Sequence, residues 1–105
     1  MDLVQDIYTV TATFPKEEMY TLSSQMRRSA VSVPSNIAEG AARNGSKEFL
    51  HFLSIARGSL SELETQLQIA QRLGYMSKDD LSENVNTVFA MLGGLMKSVN
   101  SRISK

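Results

Sequence analysis

Apolar residues recur at spacings of three and four along most of the chain, and this pattern predicts four helices. The first is predicted from Asp2 to Thr13 and should end before Phe14-Pro15, because a residue that precedes proline is disfavoured in the α region. Its inner stripe comprises Leu3, Val4, Ile7, Val10 and Phe14. Short links cannot carry the chain back along a helix, so the prediction is an all-α, antiparallel up-down-up-down four-helix bundle.

The second predicted helix contains a proline. Pro15 suits its first position, where the missing N–H costs nothing, and turn residues 43–46 should end it. Its predicted buried side comprises Met19, Leu22, Met26 and Val33. Pro34 can either kink one long helix or separate two shorter ones, and the resumed helical pattern after it favours the kink.

The third predicted helix carries two adjacent stripes. The first, a coiled-coil-like seam, comprises Phe49, Leu53, Ala56, Leu60, Leu63, Leu67 and Ala70. The second is polar in its middle and comprises Phe52, Ile55, Ser59, Glu62, Gln66, Ile69 and Leu73. Together they predict a wide buried face, as a helix with two neighbours needs. Gly74 should stop this helix, and residues 77–80 should cap the next one.

The fourth predicted helix repeats the same rhythm with Leu81, Val85, Val88, Leu92, Leu95 and Val99. Its Gly93-Gly94 pair is unfavourable in a solvated helix and indicates either the close approach of another helix or a hinge. Helix one is about half as long as the other three, which leaves part of their apolar surface bare in a single chain. Such surface usually marks an interface, so a homo-oligomer is predicted.

Length and composition agree with one domain over residues 1–105. Lys plus Arg and Asp plus Glu number eleven each, so the chain is neutral overall and only local patches can attract polyanions. The absence of cysteine removes disulfides and thiolate metal sites. Neither a basic leader nor an apolar run of about 18 residues is present, which predicts a cytoplasmic protein without a membrane span.

Residues typical of catalysis or of metal binding are scarce. His51 is the single histidine, and the Glu-x-x-His pairs of di-iron bundles do not occur. Phosphate-loop and nucleophile-elbow motifs are also missing. We therefore expect no enzyme, no catalytic residue, no metal, no cofactor and no small-molecule substrate. A hydrolase built on Arg28, Asn36, Glu39 and Glu62 is the remaining enzymatic hypothesis.

A second group of polar residues surrounds Pro34. Spacings of four, four and three place Arg28, Ser32, Asn36 and Glu39 on one helix face, opposite Ser59, Glu62 and Gln66. One interpretation is a buried hydrogen-bonded network, with an Arg28–Glu62 pair, that sets helix register. The other is a site for a ligand or a partner at the kink.

Positive charge is uneven. Five cations cluster near the second turn and its flanking helices: Arg27, Arg28, Arg43, Lys47 and Arg57. Lys97, Arg102 and Lys105 end the chain without an acid among them. Repeated around an oligomer, such residues could bind a phosphate backbone, and the candidate nucleic-acid contacts are Arg27, Arg43, Lys47, Arg57, Lys97 and Arg102. The alternative is an ordinary solvated mixture of charges. No aromatic residues are interleaved with these cations in the sequence for base stacking.

Several motifs together resemble a known family. They are residues 14–22 (FPKEEMYTL), 25–28 (QMRR), 35–40 (SNIAEG), 47–49 (KEF), 56–63 (ARGSLSEL) and 73–75 (LGY). This combination closely resembles the bacterial four-helix bundle proteins encoded in intervening sequences of 23S ribosomal RNA genes. The resemblance implies a ring-like homopentamer. It also implies a relation to the accessory proteins of diversity-generating retroelements, which are strongly basic and bind a reverse transcriptase and nucleic acid.

The leading hypothesis is therefore a non-enzymatic oligomeric scaffold that engages RNA, or a ribonucleoprotein partner, through basic residues repeated around a ring. The alternative is a protein–protein interaction module that uses the polar kink around Asn36 and Glu39 without nucleic acid. Salt-dependent RNA binding distinguishes the two hypotheses, because phosphate contacts weaken steeply as salt rises.

Overall fold

The computed structural model describes residues 2–77 and 80–103, and within them it is all-α. The four α-helices are α1 (Asp2–Thr11), α2 (Leu22–Ala41), α3 (Ser46–Arg72) and α4 (Ser82–Ile103), with a short 3-10 helix at Lys16–Glu18. No strand occurs in these two ranges. The all-α class and the four predicted helices are confirmed.

The helices pack in chain order, with α2 against both α1 and α3, and with α4 against α3. The seam of α3 forms the centre of the core, as predicted: Leu53, Ala56, Leu60 and Leu63 are fully buried, and Phe49 is partly buried at one end. From α2 the core takes Leu22, Met26, Ala30 and Val33, and from α4 it takes Val85, Val88, Leu92 and Val99. Core residues thus follow the predicted stripes on each long helix.

The predicted start of the second helix at Pro15 is wrong. Pro15 precedes the 3-10 helix, and α2 begins only at Leu22, after an irregular turn at Thr21 with φ −121° and ψ −102°. The Thr21 hydroxyl donates a hydrogen bond to the Glu18 carboxylate, which stabilises this turn locally. As a consequence Met19, predicted to be buried, is 50% exposed.

Pro34 lies inside α2 and does not divide it into two helices. Proline has no N–H to donate to the carbonyl four residues earlier, so one hydrogen bond is missing from the helix at Ala30. Ala30 and Val33 are both fully buried beside this position. Tertiary packing therefore holds α2 continuous where the local sequence would interrupt it.

Glycines have opposite environments in α2 and α4. A Cβ atom placed on Gly40 would lie 2.7 Å from the Cβ of Phe52 and 2.9 Å from Cδ1 of Phe49, so α2 and α3 approach closely there. At Gly93 and Gly94 a Cβ would meet no atom within 4 Å. The predicted close approach of another helix at the glycine pair is therefore wrong within the described chain, because that surface of α4 faces outward.

The predicted stop of α3 is confirmed. Gly74 has φ +79°, its N–H donates to the carbonyl of Gln71, and the N–H of Tyr75 donates to the carbonyl of Ala70. This is the Schellman arrangement, which favours glycine because of the positive φ. The predicted cap at 77–80 includes Lys78 and Asp79, which lie outside the described residues, as does Lys105; α4 begins at Ser82.

The predicted wide buried face of α3 is wrong for its second stripe. Ile55 is 39% exposed, Ile69 44% and Leu73 53%, and Glu62 between them is exposed as well. The reason is that α3 packs only on α2 and α4, while the ten-residue α1 packs on α2. The stripe on α3 is therefore left uncovered by the chain itself.

A search of the described helices for one long and apolar enough to cross a bilayer finds none.

Candidate functional site

Three of the predicted polar residues near Pro34 form one hydrogen-bonded group between α2 and α3. The hydroxyls of Ser32 and Ser59 lie 2.8 Å apart, and the side-chain amide of Asn36 donates to the Ser32 hydroxyl at 2.9 Å and to the Ser32 carbonyl at 2.8 Å. All three side chains are half-buried. Because the bond between serines has a direction and a fixed length, it sets the register of α2 on α3 in a way that apolar contacts alone do not.

Three further residues predicted for this polar group, Arg28, Glu39 and Glu62, do not join the hydrogen bonds of Ser32, Asn36 and Ser59. Arg28 makes one long hydrogen bond, at 3.4 Å, to the hydroxyl of Ser24 on its own helix. Glu39 forms an ion pair with Arg43 one turn later, and Glu62 is exposed. The predicted Arg28–Glu62 pair is wrong: among the described residues the ion pair that forms is Arg43–Glu39. Both Arg28 and Glu62 are open to water, which removes the need for a partner.

A polar groove of about 530 Å³ lies between α2 and α3, and its lining includes Arg28 and Ser32 from α2 and Ser59, Glu62 and Gln66 from α3. The Oε1 atom of Gln66 is buried there and accepts no hydrogen bond within the described chain. A buried acceptor of this kind usually has a protein, water or ligand partner. The predicted polar face is thus open at its centre, and not closed into one network.

Arg27, a predicted nucleic-acid contact, packs on α1 and makes contacts within the fold. Its Nε donates to the buried hydroxyl of Thr11 at 2.8 Å, and its guanidinium lies 4.9 Å from the ring centroid of Tyr8. Thr11 in turn donates to the carbonyl of Ile7 at 2.6 Å. Arg27 therefore fastens α1 to α2, and one edge of its guanidinium is already in use.

Arg43 is also engaged, although it remains 44% exposed. It pairs with Glu39 and its guanidinium lies 5.0 Å from the ring centroid of Phe52. Arg43 lies in the turn after α2, whereas Arg27 lies about 21 Å of helix before the end of α2 at Ala41. Arg27 and Arg28 therefore lie on a helix that flanks the second turn, as predicted, but on the part of it beside α1 and away from the turn itself.

The remaining predicted nucleic-acid contacts, Lys47, Arg57, Lys97 and Arg102, are exposed on α3 and α4. None of the four forms an ion pair within residues 2–77 and 80–103. Their positive charges are consequently available to an anion in solution.

Aromatic side chains that sequence reasoning missed lie near Arg27 and Arg28. A groove between α1 and α2, about 630 Å³ in volume, contains Tyr8 and Tyr20 together with both arginines. Tyr8 and Arg27 are far apart in the chain, so their proximity leaves no local sequence signal. The sequence pattern predicts Tyr20 within a continuous second helix, whereas in the structure α2 begins only at Leu22 and Tyr20 lies in the connecting segment.

A polar contact joins the segment that connects α1 and α2 to the segment that connects α3 and α4. The hydroxyl of Tyr75 donates to the Glu18 carboxylate at 2.8 Å, and the Tyr75 ring packs on Phe14 with a centroid distance of 5.3 Å. Hydrogen bonds from Thr21 and then from Tyr75 lower the pKa of Glu18 below its ordinary value. The same bond to Glu18 raises the pKa of Tyr75. Both pKa shifts have the direction expected when a protonated phenol donates a hydrogen bond to an ionised carboxylate.

The single histidine lies apart from these grooves. His51 is exposed on α3 and contacts the ring of Phe52 edge-on, with centroids 5.6 Å apart. No three His, Cys, Asp or Glu side chains come together as a metal-binding set in the part of the chain that the structure describes.

Residues 1–94 match the family model described as 23S rRNA-intervening sequence protein. The matched segment includes α1, α2, α3 and the first half of α4, and therefore both grooves. No curated protein matches the chain.

Proposed function

Since this chain belongs to the family of 23S rRNA-intervening sequence proteins, we propose that it is a non-enzymatic oligomeric scaffold that engages RNA or a ribonucleoprotein partner. The observation that carries the proposal is the set of exposed, unpaired cations on α3 and α4: Lys47, Arg57, Lys97 and Arg102. In a neutral chain, such a patch attracts a polyanion only if acids are kept away from it.

An antiparallel up-down bundle with a bend at Pro34 is the arrangement we propose. Supporting it, Gly40 near the end of α2 lies against Phe49 near the start of α3. The start of α4, at Ser82, shares a groove with Gln71 near the end of α3. In this arrangement Lys97 lies about level with Arg57, and Arg102 lies further toward the start of α3, so we propose that the cations of both helices contribute to one patch.

The oligomer is supported by the exposed second stripe of α3. Large apolar side chains such as Ile55 and Ile69 are nearly half exposed at intervals along one helix face. The buried, unpartnered oxygen of Gln66 lies on the same face. A second subunit on this face would cover the apolar residues and supply a donor, and a closed ring of copies, a homopentamer, would multiply the basic patch.

The proposal contains no catalytic step. Ser32 and Ser59, the hydroxyls at the centre of the polar face, bond to each other and to the amide of Asn36. An amide is not a base, so neither hydroxyl is activated as a nucleophile.

The first experiment is sedimentation of the purified chain alone and with a structured RNA, at low and at moderate salt. We expect a discrete oligomer that binds RNA at low salt and loses it as salt rises. The double variant Lys47→Ala/Arg57→Ala should bind RNA more weakly and lower the slope of log affinity against log salt by about 1 to 2. Arg72→Ala, an exposed arginine at the far end of α3, is the matched control and should change neither quantity.

A second pair of variants tests the assembly. Ile55→Asp places a charge on the exposed stripe and should reduce the mass of the oligomer, because a buried charge in an apolar contact is unfavourable. Ser61→Asp adds the same charge on another exposed face of α3 and should leave the mass unchanged. Loss of helical signal in Ile55→Asp, or equal masses for both variants, would contradict the assignment of this face.

One observation favours the alternative of a protein–protein interaction module without nucleic acid. The polar groove beside Gln66 has both a cation, Arg28, and a carboxylate, Glu62, on its walls, which suits a polar segment of a protein better than a phosphate backbone. An oligomer whose sedimentation is indifferent to RNA at low salt would favour this module over the RNA scaffold.

A further inference from the structure

We propose that the groove between α1 and α2 binds unpaired bases of a single-stranded nucleic acid, a site that rests on the proposed RNA function and specifies which form of RNA is recognised. We call it the tyrosine groove, and its functional residues are Tyr8, Tyr20, Arg27 and Arg28. It is distinct from the patch of Lys47 and Arg57, since Arg27 and Arg28 lie on the part of α2 beside α1.

Exposure is the first observation. Tyr20 is 87% exposed and Tyr8 46%, and Met19 at the same groove is 50% exposed. Three large, partly apolar side chains around one concave surface are unfavourable in water unless a partner covers them. The volume of about 630 Å³ falls in the range of ligand-binding clefts.

Charge identifies the class of partner. Among the described residues, the charged side chains that line the groove are those of Arg27 and Arg28, and none of the lining side chains is a carboxylate. Glu17 and Glu18, which precede Met19 in the chain, belong to the 3-10 helix, and the Glu18 carboxylate accepts hydrogen bonds from Thr21 and Tyr75. The groove is therefore complementary to an anion.

The combination of rings and guanidinium groups favours nucleic acid over a simple anion. Proteins that bind single strands place bases on aromatic rings and use arginine for both the backbone and cation–π contacts. Here Tyr8 is held by the guanidinium of Arg27 at 4.9 Å, which in turn is fixed by Thr11, so the ring is preorganised. Arg28 has only one long hydrogen bond, at 3.4 Å, and is free to reach a phosphate.

Unpaired bases are required, because the faces of bases in a duplex are covered by their neighbours. An A-form duplex would offer Tyr20 only backbone and shallow groove edges, whereas a single strand offers exposed base faces. A double-stranded RNA should therefore depend on the cations of α3 and α4 and not on the tyrosine groove.

The test measures binding of the full chain at low salt by fluorescence anisotropy. The labelled ligands are an oligouridine of about 12 nucleotides, a single-stranded DNA of the same length and an RNA duplex. Tyr20→Ala should weaken single-strand binding about tenfold and leave duplex binding unchanged. Tyr20→Phe, which keeps the ring, should bind as the wild type does. Met91→Ala, which removes an exposed apolar side chain on α4 outside both the groove and the second stripe of α3, is the control. Tyr20 is almost fully exposed, so none of these changes should alter the circular dichroism spectrum.

The outcomes separate the two proposals. Single-strand binding that does not change in Tyr20→Ala and Arg28→Ala, but falls in Lys47→Ala/Arg57→Ala, overturns the tyrosine groove and leaves the RNA scaffold standing. Absence of binding to any RNA by the wild type overturns both. A change of oligomer mass in Tyr20→Ala without a change of RNA affinity assigns the groove to a protein contact and overturns the inference. Equal loss for RNA and DNA single strands supports it and shows that the ribose hydroxyl is not read.

Discussion

Replacement of Gly40 by alanine should destabilise the protein, although alanine is the better helix former. The new Cβ would lie 2.7 Å from the Cβ of Phe52, where ordinary contact begins at 3.4 Å. That atom is attached directly to the backbone of α3, so it cannot rotate away. The nearby Phe49 carbonyl, 3.3 Å from the same point, is also backbone. The helices must therefore separate at the end of α2.

The magnitude is a difference between two effects. Alanine in place of glycine favours a helix by about 0.8 to 1 kcal/mol. Overpacking of a close contact costs about 1 to 3 kcal/mol, and here both neighbouring side chains, Phe49 and Phe52, are half-buried. We expect a net loss of about 1 to 2 kcal/mol in the free energy of unfolding. For a domain of this size, that loss lowers Tm by roughly 5 to 15 °C.

The assay is urea and thermal denaturation followed by circular dichroism, at one fixed protein concentration because an oligomer's stability depends on concentration. Gly58→Ala is the matched control: Gly58 is exposed in α3 with no atom within 4 Å of the new Cβ, so its stability should rise by about 1 kcal/mol. Opposite signs for the two variants are the expected result. A Gly40→Ala protein as stable as the wild type would refute the close approach of α2 and α3.

Three further predictions concern pH, the α1–α2 contact and the glycine pair. The pKa of Glu18 is lowered in the folded state, so the ionised carboxylate stabilises the fold above pH 4.5 and this stabilisation is lost as the pH falls further. The difference in the free energy of unfolding between the wild type and Tyr75→Phe, measured by urea unfolding, should therefore shrink on acidification. A difference that stays constant with pH would contradict this prediction. Arg27→Ala should lower the free energy of unfolding by about 1 to 3 kcal/mol, while the exposed Arg57→Ala changes it by less than about 0.5 kcal/mol; equal effects would show that Arg27 does not hold α1. Gly93→Ala should stabilise the chain by about 1 kcal/mol in the same assay, and a loss would indicate that a partner's backbone approaches there.

Helices were predictable from sequence because their signals are local. The seam around Leu60 and Leu63 and the Schellman stop at Gly74 depend on residues within a few turns of one another, and both were predicted. The helix start at Leu22 was not, because Pro15 is compatible with either an α-helix or a 3-10 turn. The choice between them depends on a side-chain bond from Thr21 that the apolar pattern does not encode.

The candidate sites were less predictable, because each depends on which helix lies beside which. Sequence spacing placed Ser32 and Asn36 on one face, and both do take part in a bond to Ser59. The distribution of charge along the chain also grouped Arg27 with the cations of the second turn and its flanking helices, whereas in the structure Arg27 bonds to Thr11 on α1, away from that turn. A charged side chain's availability depends on its neighbours in space, which a one-dimensional pattern does not contain.

Local periodicity thus defines four amphipathic helices and the residues of their apolar stripes, since burial of one stripe per helix is the dominant gain in folding. Tertiary packing decides which parts of those stripes remain open. The short α1 leaves Ile55 and Ile69 exposed on α3. The same packing brings Tyr8 beside Arg27 and forms a groove that no local sequence pattern predicts. The physical reason is that contacts between helices depend on helix length, register and crossing, which emerge only when all four pack together.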